Sequence, residues 1–551
     1  GAYIDLVARE LNKIFDPKDS GKFNPTTANI DVYTNLDPVI QKHTYDSINS
    51  KESGLFEDKK IQAGSVILNS NNGAILGVGN GRNGHASFGG TNFAFNYPRQ
   101  PGSTAKPIID YAPAIEFLEW STAHQLNDKK INYDGGSAVG NHDGSFLGKI
   151  TLDEALAKSR NPTALQTFKE VANQAGLNKI MEFASSLGIT DVDPETFNQA
   201  YSIGGWTTGT TPVELAAAYA AFGNGGYYNA PKTIRKITIR EASPYSKEFG
   251  KEFKYKDEPQ QVMKPSTAYM IKDILNTNNP NGAGLGGSIR SPFSSFHAKT
   301  GTTNWDASGE QLGIPDGTPR DKWVVGFNEK ITSAVWTGFT QEEESKGTYM
   351  ARLNASAVRL TNKLLGVFNN HYPDYLDGTK QARPSNVVSV KIKKGSWPPV
   401  EDSKGTSYLF ITGSEDHKKL KEDFSKTTAP TPNVQIKNDK DGSTLNWTYS
   451  GDFKSGATWN VFIDGKLFKN TNKMSIRITK EEMAEIAGCK DTFEIGVQLL
   501  EKDENKTVRK SAIHRSLATF SSDDYCKEEI PIDPPPEVIF DFFNWFEKLF
   551  V

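Results

Sequence analysis

The sequence predicts an α+β chain in which helices and strands share one large domain and a small β-sandwich-like domain follows. Three observations carry this. At 551 residues the chain exceeds what one ordinary hydrophobic core organises, so several domains are expected. An early hairpin pattern and two late strand patterns enclose a helical middle, so strands of one sheet come from distant parts of the chain. From about residue 433, short alternating apolar stretches replace the helical periodicity.

Residues 3–15 bring Ile4, Val7, Ala8, Leu11 and Phe15 to near-helical spacing, which predicts an amphipathic helix with one buried stripe. Asn29 to Leu36 alternates as a strand does, and Asp37-Pro38 supplies the N-cap and first-turn proline of a helix through Gln41 and Tyr45. Gly64 to Leu68 and Ala74 to Val78 flank Asn71-Asn72-Gly73, the pattern of a tight hairpin. Helical stretches are expected at Thr104 to Glu119, Leu152 to Ala172, Asn178 to Leu187, Pro212 to Phe222 and Ser266 to Leu275. Strands return at Lys322 to Phe327 and Ile331 to Phe339. Pro384, Pro398, Pro399 and the run from Ser425 to Pro432 read as connecting material. Beyond it, Ser443 to Trp447, Trp459 to Ile463 and Phe493 to Leu500 suit a sandwich of immunoglobulin or fibronectin type. After Pro534-Pro535-Pro536, the stretch Val538 to Phe550 predicts a short amphipathic helix, packed on its own domain or on a membrane.

Composition excludes several function classes. Lys and Arg total 63 against 66 Asp and Glu, a net charge of −3 with no long run of either sign, so no nucleic-acid partner is nominated. With 36% hydrophobic residues, 48 Gly and 28 Pro, the chain is globular and loop-rich rather than disordered. Cys489 and Cys526 lie far from every motif below, which argues against thiol catalysis and a cysteine metal site. Whether they form one disulfide or stay two separate thiols is open at this stage. No run approaches the roughly 18 apolar residues that span a bilayer. Gly1-Ala2-Tyr3 carries neither a signal peptide nor an initiator Met, so a membrane anchor is expected upstream of residue 1.

Three motifs point to chemistry through their order: Ser103-Thr104-Ala105-Lys106, Ser159-Arg160-Asn161 and Lys299-Thr300-Gly301-Thr302. Pro101-Gly102 is a turn that delivers Ser103 to a helix N-terminus, where free N–H groups favour an anionic adduct. Lys106, three residues on, shares that helix face and can reach the Ser103 hydroxyl. Crowding by Lys299 and partial burial would lower its pKa and make it the proton acceptor. Ser159 and Asn161 suit a loop with both side chains in one cleft, Ser159 relaying a proton and Asn161 donating to a substrate amide. The plainer alternative for this pair is a helix-ending turn. A strand through Lys299, Thr300, Gly301 and Thr302 places a cation and hydroxyls beside a substrate carboxylate, and Gly301 clears the backbone approach. The Thr302 N–H completes an oxyanion hole with that of Ser103. His297 is expected to be structural, since no second metal ligand stands at useful spacing, and neither a metal nor a cofactor is called for.

These motifs in this order resemble the penicillin-binding protein and serine β-lactamase superfamily. The stretches Arg99 to Pro107, Ala155 to Pro162, Gly204 to Tyr219, Trp323 to Phe327 and Ala334 to Gly338 resemble class A penicillin-binding proteins in particular. Asp31 to Pro38 looks like the segment that follows the glycosyltransferase domain in such proteins, so that domain is expected before residue 1 of the parent chain. The resemblance implies a central antiparallel sheet flanked by helices and a peptidoglycan D,D-transpeptidase acting on D-alanyl-D-alanine stem peptides. It also implies a covalent acyl-enzyme at Ser103 that β-lactams imitate, on the extracytoplasmic face of the cell membrane. Two departures stand out: Arg160 in the middle of the second motif, and Ala355 to Val358, which lacks the Pro and Trp often seen in relatives.

The expected division is a linker region at 1–60, the transpeptidase domain at 61–375, a connecting region at 376–432, the β domain at 433–530 and a tail at 531–551. Among rival functions, a serine β-lactamase is shorter and a D,D-carboxypeptidase differs only in whether water or an amine removes the acyl group. A noncatalytic β-lactam sensor or wall-binding module would be expected to continue into a signalling segment.

Overall fold

The computed structural model describes residues 1–52, 54–82, 89–256, 258–279, 288–376, 381–396, 398–420, 428–448, 457–502, 508–522 and 526. Two compact units meet in sequence at residues 421 and 422. The tail helix expected at 538–550 lies outside the described residues.

The first unit is organised by a five-stranded antiparallel sheet whose members come from both ends of the domain. Its order is His297–Asn304, Pro319–Phe327, Ile331–Gly338, Gln62–Asn69 and Ile75–Asn80. The early hairpin thus joins the edge of a late three-stranded meander, with Ala334 opposite Val66 and Val325 opposite Ala334. Alternation along the strands divides the apolar side chains between two cores. Val66, Leu68, Val325, Ala334 and Trp336 enter one; Ala63, Ile67, Ala298, Val324 and Val335 enter the other. Because both faces are buried, the strands read as continuous apolar runs, Val66-Ile67-Leu68 and Trp323-Val324-Val325 among them.

Helix Pro212–Gly223 covers the first face. Its Ala-rich sequence is buried on every side, and Thr211 caps it through the Glu214 N–H. Helices Pro38–Ile48 and Ser356–Leu365 cover the second face, the former capped by Asp37 as its sequence predicts. The helical middle differs from expectation at two places that matter for the site. The stretch from Thr104 opens as a 3₁₀ turn, Gly102–Ala105, passes through a π turn, Pro107–Tyr111, and settles into an α-helix at Ala112–Leu118. Pro107 accounts for this. It has no N–H to offer the Ser103 carbonyl, so the Lys106 N–H closes the tighter turn onto that oxygen instead. The stretch from Leu152 to Ala172 is two helices, Leu152–Ala157 and Asn161–Gln174, broken between them.

The helix and strand expected in the N-terminal region are present, and a segment expected as connecting material is also structured. Strand Ile30–Thr34 of the N-terminal region pairs with Ile234–Ile239, which pairs in turn with Glu252–Lys254, and Leu11 and Phe15 of helix Ala2–Phe15 pack on Ile234, Ile237 and Ile239. Residues placed in the connecting region form the hairpin Val387–Ile392 with Thr406–Ile411. The Leu409 carbonyl accepts from the Thr122 N–H, so this hairpin belongs to the first unit.

The second unit contains a three-stranded sheet, ordered Asn433–Asp439, Gly442–Thr448 and Ser475–Thr479. Its second sheet is built on Thr458–Ile463 and Thr492–Lys502, and one core containing Trp447 and Trp459 is shared by both. Helix Lys480–Ala487 intervenes behind a capping box of Thr479 and Glu482. Cys489 and Cys526 form a disulfide, with Cα atoms 6.0 Å apart.

One buried charge cluster joins the sheet to the loop that precedes Ser103. Arg99 Nε donates to Asp321 Oδ1 at 2.6 Å and its Nη2 to Glu344, while Trp336 Nε1 also donates to Asp321 Oδ1 at 2.9 Å. Replacing Arg99 by Ala leaves the buried Asp321 without its cationic partner while Glu344 keeps Arg320, so unfolding is expected to become easier by about 3 kcal/mol in a denaturant titration.

Candidate active site

Three backbone segments meet at one end of the sheet with no side chain between them. A Cβ on Gly102 would stand 2.5 Å from the Thr302 carbonyl oxygen, and one on Gly301 2.4 Å from that of Pro101. A Cβ on Gly204 would fall 2.0 Å from the Gly102 oxygen, and Gly204 has a φ of +89 besides. The 3₁₀ turn carrying Ser103 is therefore pressed directly onto the strand carrying Lys299 to Thr302. Pairing between Arg99 and Thr210, with N–H to carbonyl distances of 2.9 and 2.8 Å, holds the approach to that turn. Trp323 Nε1 adds a bond of 2.9 Å to the Gln100 carbonyl.

On this turn Ser103 and Lys106 stand three residues apart, and in 3₁₀ geometry residues at i and i+3 eclipse. Ser103 is partly exposed, whereas Lys106 is fully buried. The Lys106 ammonium nitrogen donates to the Ser159 carbonyl at 2.7 Å and to Asn161 Oδ1 at 2.7 Å, with Ser159 Oγ at 3.3 Å. The direct bond from Lys106 to Ser103 expected from the sequence is not among its hydrogen bonds to described residues.

Ser159 sits where helix Leu152–Ala157 ends. Its N–H bonds the Leu156 carbonyl and the Arg160 N–H that of Ala155, both at 3.0 Å, the pairing of a Schellman turn. The residue after such a helix takes left-handed backbone angles and is most often glycine. Ser159 occupies the position with a φ of +56. So the pair is a helix-ending turn and also a lining of the cleft, since Lys299 Nζ donates to Ser159 Oγ at 2.8 Å and to the Thr300 carbonyl at 2.9 Å. One hydroxyl thereby bridges two buried lysines.

Asn161 is the first residue of the next helix rather than a loop residue. Its Oδ1 faces Lys106, and its Nδ2, expected to face substrate, donates to the Gly140 carbonyl at 3.0 Å. Arg160 turns away from the cleft. Its Nε bonds Asp128 at 2.8 Å and its Nη1 bonds Asp143 at 2.9 Å, so the middle position of this motif is a structural anchor.

Burial, reinforced by the Lys299 charge and opposed in part by Asp110, pushes Lys106 well below the ordinary lysine range. Burial alone brings Lys299 down to about 7. Asp110, one helical turn beyond Lys106 and fully buried, is driven well above the carboxylate range by desolvation. His297 is a core residue whose Nδ1 lies 2.6 Å from the Lys272 carbonyl, and desolvation lowers it to about 3. Among the described residues no three His, Cys, Asp or Glu side chains come together as a metal site, and no helix is long and apolar enough to cross a membrane.

Sequence reasoning missed Asp128, Asn141 and Gly140, which brace the second motif, and Gly204, which admits the first. Only Gly204 lay in a stretch that stood out, Gly204 to Tyr219.

A partly exposed serine three residues before a buried lysine whose burial favours the neutral amine is an arrangement capable of acyl transfer of the serine type. The chain belongs to the penicillin-binding protein transpeptidase family: residues 63–364, more than half of its length, match the penicillin binding protein transpeptidase domain. It is 32% identical over 467 residues to penicillin-binding protein 1A/1B of Bacillus subtilis, covering 82% of this chain and 48% of that relative. It is 36% identical over 350 residues to penicillin-binding protein 1A of Streptococcus oralis, covering 61% and 52%. The chain thus spans about half the length of the curated relatives it matches. The fold is shared with the PonA1 protein of Mycobacterium tuberculosis in complex with penicillin V, at a TM-score of 0.52 and 20% identity over 69% of this chain and 94% of that one.

The lowered pKa of Lys299 has a consequence for stability. The unfolded chain keeps this lysine protonated to about pH 10.4, so above pH 7 the unfolded state binds more protons and stability rises with pH through this group. In calorimetry from pH 7 to 9, the Lys299→Met variant is expected to show a flatter rise than the wild type.

Proposed function

We propose that this chain is a peptidoglycan D,D-transpeptidase that cross-links stem peptides through an acyl-enzyme on Ser103 and is acylated there by β-lactams. The observation that carries the reading is the pair of acceptors on Lys106. The Ser159 carbonyl and Asn161 Oδ1 have no hydrogens of their own, so they occupy both N–H bonds of a neutral amine. The lone pair is left to take a proton from a hydroxyl: Ser159 Oγ stands at 3.3 Å, and in this reading Ser103, three residues before Lys106 on the same turn, delivers its proton there.

In the first step Ser103 Oγ attacks the carbonyl carbon between the two D-alanines and its proton passes to Lys106. The oxyanion is held by the N–H groups of Ser103 and Thr302, whose backbones the Gly102 contact brings together. As the C–N bond breaks, the proton returns from Lys106 through the Ser159 hydroxyl to the departing amine. Lys299, protonated below about pH 7, and the hydroxyls of Thr300 and Thr302 receive the terminal carboxylate. An amine of a second stem peptide then attacks the ester, gives up its proton, and frees Ser103. This chemistry belongs outside the cytoplasm, where peptidoglycan is cross-linked, with the membrane anchor and a glycosyltransferase activity elsewhere in the parent protein.

Intact-mass spectrometry after brief exposure to a penicillin is expected to show one stable adduct on the wild type and none on Ser103→Ala. Rapid turnover of many equivalents would instead mean a β-lactamase. Ser159→Gly relieves the left-handed backbone cost of about 1 kcal/mol and forfeits the hydroxyl's two bonds, to Lys299 and Lys106, worth about 1 kcal/mol each, so the melting temperature is expected to fall slightly. Acylation of the same variant is expected to slow about a hundredfold.

A further inference from the structure

Resting on the acyl-transfer reading, we propose that Asn141, held by Asp128, is a positioning residue that orients the Lys106 amine through Asn161. Asn161 can help aim the lone pair of Lys106 only if its carboxamide oxygen, and not its nitrogen, faces the lysine. One bond imposes that choice and a second holds it in place. The Gly140 carbonyl takes the Asn161 Nδ2 at 3.0 Å, and Oδ1 of Asn141, the next residue of the same loop, takes the Asn161 backbone N–H at 2.8 Å and so seats that carbonyl against Asn161. Asn141 is buried and its own orientation is determined in the same way. Its Nδ2 donates to Asp128 Oδ1 at 2.8 Å and to the Ser145 carbonyl at 2.9 Å, which leaves Oδ1 for Asn161.

Asp128 closes the chain. It is fully buried, and its second oxygen accepts from Arg160 Nε at 2.8 Å and from the Leu147 N–H at 2.9 Å. A carboxylate accepts at every lone pair and donates at none, so it admits only the Asn141 rotamer that presents the amide nitrogen. The order is then: Asp128 sets Asn141, Asn141 seats the loop on the Asn161 backbone, the Gly140 carbonyl of that loop takes the Asn161 amide nitrogen, and the Asn161 oxygen is left facing Lys106. Arg160 gains a functional reason at the same point. Bonded to Asp128, Asp143 and the Ser145 carbonyl, it ties both ends of this loop to the motif between Ser159 and Asn161. Neither Asn141 nor Asp128 is hydrogen-bonded to Lys106 or Ser103; Asp128 does reach Lys106 through its charge, so the uncharged Asn141 is the residue whose effect on acylation reports the path through Asn161.

A double-mutant cycle on the full chain tests this, with the rate constant for acylation by a penicillin, its non-covalent Kd and the melting temperature measured for each variant. Asn141→Ala is expected to slow acylation about tenfold at unchanged Kd, the result of a misaimed base. In an Asn161→Ala background, adding Asn141→Ala is expected to change acylation less than about twofold while lowering the melting temperature as much as it does alone. Effects on acylation that multiply, or a wild-type rate in Asn141→Ala, would overturn the proposal in favour of a purely structural loop. Where Asn161→Ala falls below detection, the pH profile of acylation in Asp128→Asn decides: a misaimed amine lowers the plateau rate as Asn141→Ala does, loss of the Asp128 charge alone only moves the rising limb to lower pH, and an unchanged plateau refutes the relay. Should the wild type itself form no adduct on Ser103, it is the reading of the cleft that fails, independently of how Asn141 behaves.

Discussion

The cleft depends on contact between stretches of bare backbone. Gly102, Gly204 and Gly301 lie in three separate parts of the chain, and at each a single methyl group would overlap a carbonyl oxygen or its neighbours. Without those overlaps the turn that carries Ser103 can rest on the strand that carries Thr302, and two N–H groups can point at one oxygen. A side chain at any of the three would open the mouth of the cleft by an ångström or more, a displacement that costs about a hundredfold in a reaction needing near-attack geometry. The buried cluster of Arg99, Asp321 and Glu344 serves the same end from behind, since it fastens the Ser103 loop to strand Pro319–Phe327 and to helix Gln341–Ser345.

Around that contact the protein concentrates features that would be unfavourable elsewhere. Two lysines are buried within reach of one serine hydroxyl, and that serine adopts a backbone conformation that suits glycine. Each cost has a chemical counterpart. Burial moves both lysines toward neutrality, where one can take up a proton, and the left-handed turn is what aims the Ser159 carbonyl and hydroxyl at Lys106 together. The two lysine nitrogens donate to the Ser159 and Thr300 carbonyls and to the Asn161 carboxamide, which fixes their directions as well as their energies.

Much of this was legible in the residues. Ser103 with Lys106 and Lys299 with Thr300, Gly301 and Thr302 are short-range patterns whose geometry follows from one turn and one strand. The Asn71-Asn72-Gly73 hairpin and the Asp37 cap are local for the same reason. The break at Ser159 was harder to see, because the apolar periodicity runs on from Leu152 to Ala172 and only the backbone angles show where it stops. Asn141 and Asp128 carried no signal. An asparagine and an aspartate in a polar loop look like ordinary turn residues until the fold sets them against Asn161 and Arg160. Strand Ile234–Ile239 alternates cleanly enough, but its partner lies some two hundred positions earlier, at Ile30–Thr34.

By itself, then, the sequence determined the transpeptidase family and the mixture of helices and strands, and it singled out the serine and two lysines proposed to carry the chemistry, because these follow from residue type and spacing within a few positions. Tertiary structure decided the rest: that Pro107 would tighten the Ser103 turn, that Asn161 would turn its oxygen to Lys106, that the 387–411 segment would be a hairpin of the first unit, and that Cys489 would meet Cys526. Hydrogen-bond direction and burial are properties of surroundings. They exist only once distant segments have been packed together, and they are what turns a lysine three residues after a serine into a base.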